Sequence, residues 1–395
     1  MAISGIDDLQ LASLRQRQGE KWSHYEPDVI PAWVADMDFE IAAPIREAIK
    51  ERLSRFDCGY PVAPHDTGLP AIFAERVAQK FNWDINQSQV ELFNDVVQGI
   101  YFGLLSLSDK NDGVLIQTPI YPPFLSSVAE TERRAITSEL VRGAQHYEMD
   151  FDHLEAQVKQ HNVRILLFCN PHNPSGRCFT KPELTRLAEL VLKYQLYVIS
   201  DEIHADLILD DVQHIPFASL NDEVAARTVT LMSASKAFNM AGICMAFAVF
   251  GSSEVKRLFR KIPRHLRGAL NALSVAGVTA AFTQGEPWLS NVLNRLRENR
   301  DTIVAHANQH WPQISYLSTQ ATYLAWLDCR SLVAEYGLAN SPYEFFLKHG
   351  RVALSDGARF GEPGINFARL NFATSKGILD QVLQRMTSAI ETHCR

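Results

Sequence analysis

The sequence predicts an α/β protein: a large domain with a mostly parallel sheet covered by helices, plus a smaller α/β domain. Three observations carry this expectation. A chain of 395 residues with 46% hydrophobic content can bury a core larger than one compact unit usually holds. From about Gly113 onward, apolar runs of strand length alternate with helical runs, and helices between strands imply parallel pairing with both sheet faces covered. Polar residues able to do chemistry stand at the carboxyl ends of those runs, where open α/β sheets place their ligands.

The elements follow in order. Asn94-Asp95-Val96-Val97-Gln98-Gly99-Ile100-Tyr101 opens an apolar helix capped by Asn94 or Asp95. The first amides of such a helix, with its dipole behind them, form an anion site. Gly113 to Gln117 is a strand that ends in Thr118-Pro119, and Ile165 to Phe168 is another. After it comes Cys169-Asn170-Pro171-His172-Asn173-Pro174-Ser175-Gly176, a rigid non-helical turn with two Asn-Pro steps. Lys181 to Tyr194 is an amphipathic helix with Leu184, Leu187, Leu190, Val191 and Tyr194 on one face. Thr180 caps it, with Pro182 in the first turn and Glu183 in capping-box position. A strand at Leu196 to Ile199 runs into Ser200-Asp201-Glu202-Ile203-His204. Thr228 to Leu231 leads into Met232-Ser233-Ala234-Ser235-Lys236, and Ala246 to Phe250 is a further strand. In the last third, a helix from about Trp288 to Gln309 precedes Tyr323-Leu324-Ala325-Trp326-Leu327 and the strand-like Phe367-Ala368-Arg369-Leu370-Asn371-Phe372-Ala373.

Composition narrows the function. A net charge of −7 with 21% charged residues gives no footing for nucleic acid. No apolar run is long enough to span a membrane, and the first ten residues read as no secretory signal. The six cysteines, Cys58, Cys169, Cys178, Cys244, Cys329 and Cys394, are scattered without a Cys-x-x-Cys pair. A zinc knuckle or disulfide framework is not expected, and a reducing cytoplasm is the natural compartment. Cys169 and Cys244 read as small core residues. No metal site is expected, and no Walker loop, Gly-x-Gly-x-x-Gly or His-Glu-x-x-His occurs, so a nicotinamide dehydrogenase lacks its fingerprint.

Four residues stand out chemically. Lys236 follows an apolar strand and two hydroxyls, a setting that lowers a lysine's pKa and suits imine formation with an aldehyde cofactor. Asp201, at a strand end, can keep a ring nitrogen protonated so that the ring becomes an electron sink; a helix cap is its alternative reading. Asn173 can donate to a phenolate oxygen, or be an ordinary loop residue. Arg369, in an apolar strand, needs an anion: a substrate carboxylate gripped at two points, or a structural ion pair.

In this order the motifs resemble the fold-type I pyridoxal-phosphate enzymes, the aspartate aminotransferase superfamily, over nearly the whole chain. Val34-Ala35-Asp36-Met37-Asp38-Phe39, Gly59-Tyr60, Ser235-Lys236-Ala237-Phe238-Asn239, Tyr323 to Asp328 and Phe360-Gly361-Glu362-Pro363-Gly364 resemble the MalY/PatB group of cystathionine β-lyases, also called C-S lyases. The resemblance implies pyridoxal 5'-phosphate as cofactor and a small amino-acid substrate. It implies Lys236 as the catalytic base, with Asp201, Asn173, His204 and Tyr121 about the ring. Val96, Val97, Gln98 and Ser233 would hold the phosphate. Tyr60 would reach the phosphate of a second subunit, giving a homodimer with shared sites. Arg369, with Asn173 and Tyr121, would hold the substrate. Family members usually have Gly where Asp95 stands, and many carry an Arg where this chain has Cys244. The implied division is residues 1–50 as a segment joining the small domain, 51–285 as the large cofactor-binding domain, and 286–395 as the small domain. The implied reaction is β-elimination of cysteine S-conjugates such as cystathionine. An aminotransferase shares every step up to the carbanion, and a regulatory binding role is the alternative of another class.

Overall fold

The computed structural model describes residues 6–338 and 341–394. Its first strand, β1 (Ile30–Pro31), lies outside the large sheet. That sheet is built from β2 (Val90–Phe93), β3 (Gly113–Thr118), β4 (Arg134–Arg142), β5 (Tyr147–Met149), β6 (Val163–Cys169), β7 (Tyr197–Asp201), β8 (Thr228–Met232) and β9 (Ala246–Phe250). The strand order is β2-β9-β8-β7-β6-β3-β4-β5. The five strands from β8 to β4 run parallel, whereas β9, β2 and β5 are antiparallel additions at the two edges. The expected mostly parallel sheet is therefore present. Strands β3 and β8 are buried throughout, as parallel strands covered on both faces must be. Nearer the edge, β4 alternates buried and exposed residues.

Packing sets where the sheet's carboxyl edge opens. Helix Val96–Leu107 lies close on β7 and β8, and two glycines permit the approach. A Cβ at Gly99 would come within 2.8 Å of Leu231, and one at Gly103 within 2.5 Å of Ile199. Helix Lys181–Lys193 has the expected capping box, the Thr180 amide donating to Glu183 Oε2 at 2.7 Å.

The smaller unit carries β10 (Ser315–Tyr316), β11 (Leu324–Asp328), β12 (Val352–Ala353), β13 (Ser355–Asp356) and β14 (Phe367–Asn371). Its four-stranded sheet, β10-β11-β14-β13, is antiparallel and places Arg369 opposite Trp326 and Ser355. Helices Glu286–His310 and Lys376–His393 pack together beside it. Strand β1 pairs in parallel with β12, so the chain's beginning docks on this unit. Residue 50 lies inside helix Ala43–Ser54, which packs on helix Ala272–Gln284.

One core expectation is corrected. Cys169 is buried at the end of β6, but Cys244 is exposed. A 3-10 turn at Ala241–Ile243 leaves Cys244 outside β9 with φ +26°.

Candidate active site

Lysine, acid and imidazole meet where β7 and β8 end. Ser233 caps the short helix Ala234–Ala237, which turns Lys236 away from the sheet. Lys236 Nζ donates to the Ala35 carbonyl at 2.9 Å. Burial lowers its pKa; Asp36 opposes this, Arg369 adds to it and Asp201 opposes it. Asp201 is the last residue of β7, and its Oδ1 accepts from the Ile203 amide at 3.0 Å. Burial pushes its carboxyl up to about 7, against the pull of the Ile203 amide. No described cation forms an ion pair with it. His204 is buried, and burial followed by Lys236 and Arg369 pushes it down to about 3, so it is neutral. Its Nδ1 has no partner among the described residues, and its ring stands edge-on to Tyr323 with centroids 6.2 Å apart.

On the opposite side β14 presents Arg369. Its guanidinium donates to Asn173 Oδ1 at 3.0 Å, the Trp33 carbonyl at 3.1 Å and Ser355 Oγ at 3.1 Å. It lies 4.8 Å over the Phe360 ring. Burial depresses it to about 10, and its buried Nε has no partner. Among the described residues no carboxylate pairs with it. A buried, unpaired guanidinium is costly unless an anion arrives. The Tyr121 amide bonds the Asn173 carbonyl at 3.2 Å, and burial raises the Tyr121 phenol. Lys236, Asp201, His204, Tyr121, Asn173 and Arg369 are thus brought to one place.

The anion-binding residues are placed less uniformly. Val96, Val97 and Gln98 form the first turn of helix Val96–Leu107, but Asp95 Oδ1 already accepts from the Gln98 amide at 2.7 Å. That leaves the Val96 and Val97 amides at the open end. Ser233 Oγ donates to the Met245 carbonyl at 2.6 Å and approaches Ser235 Oγ at 2.9 Å, so its hydrogen is committed to the fold. The neighbouring Ser235 hydroxyl is the less buried of the two. Tyr60 is fully exposed and stands in a segment with exposed Leu53, Phe56 and Val62.

Sequence reasoning assigned no role to the residues that hold the 33–39 segment over this site. Tyr323 Oη donates at 2.7 Å to the same Ala35 carbonyl that Lys236 uses. Asn371 Nδ2 bonds the Val34 and Asp36 carbonyls, both at 2.7 Å. Asn239 bonds the backbone of Met37 and Phe39. The signal was partial: each of these residues fell inside a quoted motif, but their acceptors are carbonyls, which no side-chain pattern displays.

Fold and site together define a protein of the fold-type I pyridoxal-phosphate class. The chain belongs to the aminotransferase class I and II family, which it matches over residues 45–386. It is 35% identical over 410 residues to a putative cystathionine beta-lyase of Mycobacterium tuberculosis (strain ATCC 25618 / H37Rv), covering 99% of both chains. It is 34% identical over 366 residues to the cystathionine beta-lyase PatB of Bacillus subtilis, covering 92% of this chain and 93% of PatB. The crystal structure of cystalysin from Treponema denticola, which contains pyridoxal 5'-phosphate, superposes with a TM-score of 0.92. Its identity is 28%, with 99% of each chain covered.

Proposed function

We propose that this chain is a pyridoxal-phosphate-dependent carbon–sulfur β-lyase acting on cysteine S-conjugates such as cystathionine. The observation that carries the reading is the gathering of half-buried Lys236 with buried Asp201 and Arg369 at the sheet's carboxyl edge, neither Asp201 nor Arg369 being in an ion pair among described residues. Relatives named cystathionine beta-lyase favour elimination over amino transfer.

The residues fit the cofactor. Asp201, raised by burial, suits a cationic ring nitrogen, and the orphaned Nδ1 of His204 suits a polar ring substituent. The Val96 and Val97 amides, with a serine hydroxyl, suit the phosphate. When bound, pyridoxal phosphate supplies an aldehyde and an electron-withdrawing ring that loosens the α-proton of an amino acid. Asp201 would keep the ring nitrogen protonated, and Tyr121 would line the cofactor's place. Arg369 and Asn173 orient the substrate carboxylate. Lys236, made less basic by burial, takes the α-proton and returns one to the departing sulfur. The net reaction consumes one water: the carbon–sulfur bond breaks, and a cysteine conjugate gives thiol, pyruvate and ammonium.

The exposed Leu53–Val62 segment supports a homodimer in which Tyr60 reaches the partner's phosphate. The proposed division is residues 1–50, 51–285 and 286–395, and the pairing of β1 with β12 supports the first segment's joining the small domain. Among the described residues no helix is long and apolar enough to cross a membrane, and no cysteine is in a disulfide. A cytoplasmic location is part of this proposal. The test is to incubate the holoenzyme with cystathionine, S-methylcysteine, and alanine plus a keto acid, following pyruvate, thiol and amino-group transfer. Thiol and pyruvate release is expected. Fast amino exchange without thiol release would make the protein an aminotransferase.

A further inference from the structure

A second cation stands at the rim of the Arg369 site. Arg359 lies in the 3-10 turn Gly357–Phe360, next to the residue whose ring carries Arg369. The turn is tied to the site by one backbone bond and held in shape by its own cap. The Phe360 carbonyl accepts from the Ile120 amide at 2.8 Å, adjoining Tyr121, and Asp356 Oδ1 accepts from the Ala358 amide at 3.2 Å. Arg359 itself is exposed and makes no hydrogen bond or ion pair to a described residue. Its charge reaches both neighbours: it adds slightly to the lowering of Arg369, which burial dominates, and it is the smallest influence on Tyr25, opposing the rise that burial and Tyr343 impose on that phenol. Tyr25 packs edge-on against Trp33 at 5.6 Å, and the Trp33 carbonyl is the one that Arg369 grips. Arg359 thus shares a rim with an aromatic wall made by Tyr25 and Trp33.

We propose that Arg359 is a specificity determinant: it receives a carboxylate on the sulfur substituent and selects cysteine S-conjugates with an acidic leaving thiol. The inference rests on the lyase reading. With the α-carboxylate on Arg369, the sulfur substituent must extend from the β-carbon toward the mouth of the site. A distal carboxylate there meets a cation that has no other partner, beside aromatic surface that can cover the intervening methylenes. Because Arg359 is solvent-exposed, the gain is that of a rim charge, roughly two- to fivefold in kcat/KM. It should fall on KM rather than kcat, as binding shared by ground and transition states does.

The test compares S-(2-carboxyethyl)cysteine with the uncharged S-propylcysteine on holoenzyme, in wild type and in Arg359→Ala, Arg359→Lys and Arg359→Glu. Wild type should prefer the carboxylated substrate. Arg359→Ala should bring the ratio near one, Arg359→Lys should keep most of it, and Arg359→Glu should invert it, each ratio being taken against S-propylcysteine turnover by the same variant. As a readout independent of turnover, calorimetry should show a dicarboxylate from the glutarate-to-suberate series binding wild type more tightly than its monocarboxylate counterpart. That difference should vanish in Arg359→Ala. An unchanged substrate ratio in Arg359→Ala overturns the inference and leaves the lyase reading intact. Failure of every conjugate to release thiol sinks the lyase reading instead, while the dicarboxylate titration still decides whether Arg359 binds an acid.

Discussion

Asp201 should destabilise the protein without its cofactor. Moving a carboxyl from 3.8 to about 7 by burial makes its ionised form cost about 4 kcal/mol. The unfolded chain releases this proton near pH 4, whereas the folded chain keeps it until about pH 7. Between those values the native state binds more protons, so stability falls as pH rises through that window, and the loss is complete above it. Asp201→Asn keeps a neutral side chain at every pH and retains an oxygen for the Ile203 amide, now bonded at 3.0 Å. At pH 8 the Asp201→Asn apoprotein should therefore exceed wild type by up to about 4 kcal/mol. For 395 residues that is about 5 °C in Tm. The gap should close as pH approaches 4.

Adding pyridoxal phosphate should reverse the order. In the holoenzyme a cationic ring nitrogen compensates the Asp201 carboxylate, whereas the amide provides no charge. Wild type should then be the more stable protein, and Asp201→Asn should bind the cofactor weakly and turn over slowly. Calorimetric scans of apo and holo forms from pH 5 to 8.5 provide the measurement. Equal apo melting temperatures at pH 8, or a gap that does not vary with pH, would refute the reasoning that burial alone sets the state of Asp201.

Other outcomes follow from the same geometry. Borohydride treatment of the holoenzyme should fix the cofactor to the peptide bearing Lys236, and Lys236→Ala should lose several orders of magnitude in rate; labelling of another lysine overturns the assignment. Asp95→Asn keeps a capping oxygen for the Gln98 amide but removes a carboxylate from the phosphate end, so apoprotein titration should show cofactor binding roughly two- to fivefold tighter. Arg369→Lys cannot grip a carboxylate at two points, and kcat/KM should drop about ten- to a hundredfold with melting and cofactor absorbance as controls; an unchanged value places the carboxylate elsewhere. Mixed Tyr60→Phe and Lys236→Ala chains should regain activity above either parent, because one site of each hybrid dimer has neither defect; a fully active monomer excludes sharing.

The parallel core was readable because β3, β6, β7 and β8 are buried on both faces and so appear as continuous apolar runs. Direction was not. Strand β9 has the same apolar signature, yet it is antiparallel, because the chain returns from β8 through the lysine turn rather than through a crossover helix. The two-residue strands β1, β10, β12 and β13 are too short for any periodicity to show. Lys236, Asp201, Asn173 and Arg369 stood out in the sequence because each is a polar residue in an apolar strand or the turn after one, and the fold gathers them in one place. The Gln98 amide and the Ser233 hydroxyl were assigned a ligand that the fold has partly pre-empted. Their partners, Asp95 Oδ1 and the Met245 carbonyl, depend on local geometry.

The 33–39 segment explains how two separate units make one site. It has no regular structure of its own, so its carbonyls are free to accept from both sides. From the small unit come Arg369, Asn371 and Tyr323, which take the carbonyls of Trp33, Val34, Asp36 and Ala35. From the large unit come Lys236 and Asn239, which take those of Ala35, Met37 and Phe39. Ala35 is the shared point: one carbonyl oxygen holds Nζ of the proposed catalytic base and the phenol of a small-unit tyrosine. A displacement of the small unit therefore cannot move Arg369, the proposed carboxylate grip, without also pulling on the lysine's acceptor. The positions of carboxylate grip and base are linked through one strip of backbone, which is why an unstructured stretch carries so specific a sequence.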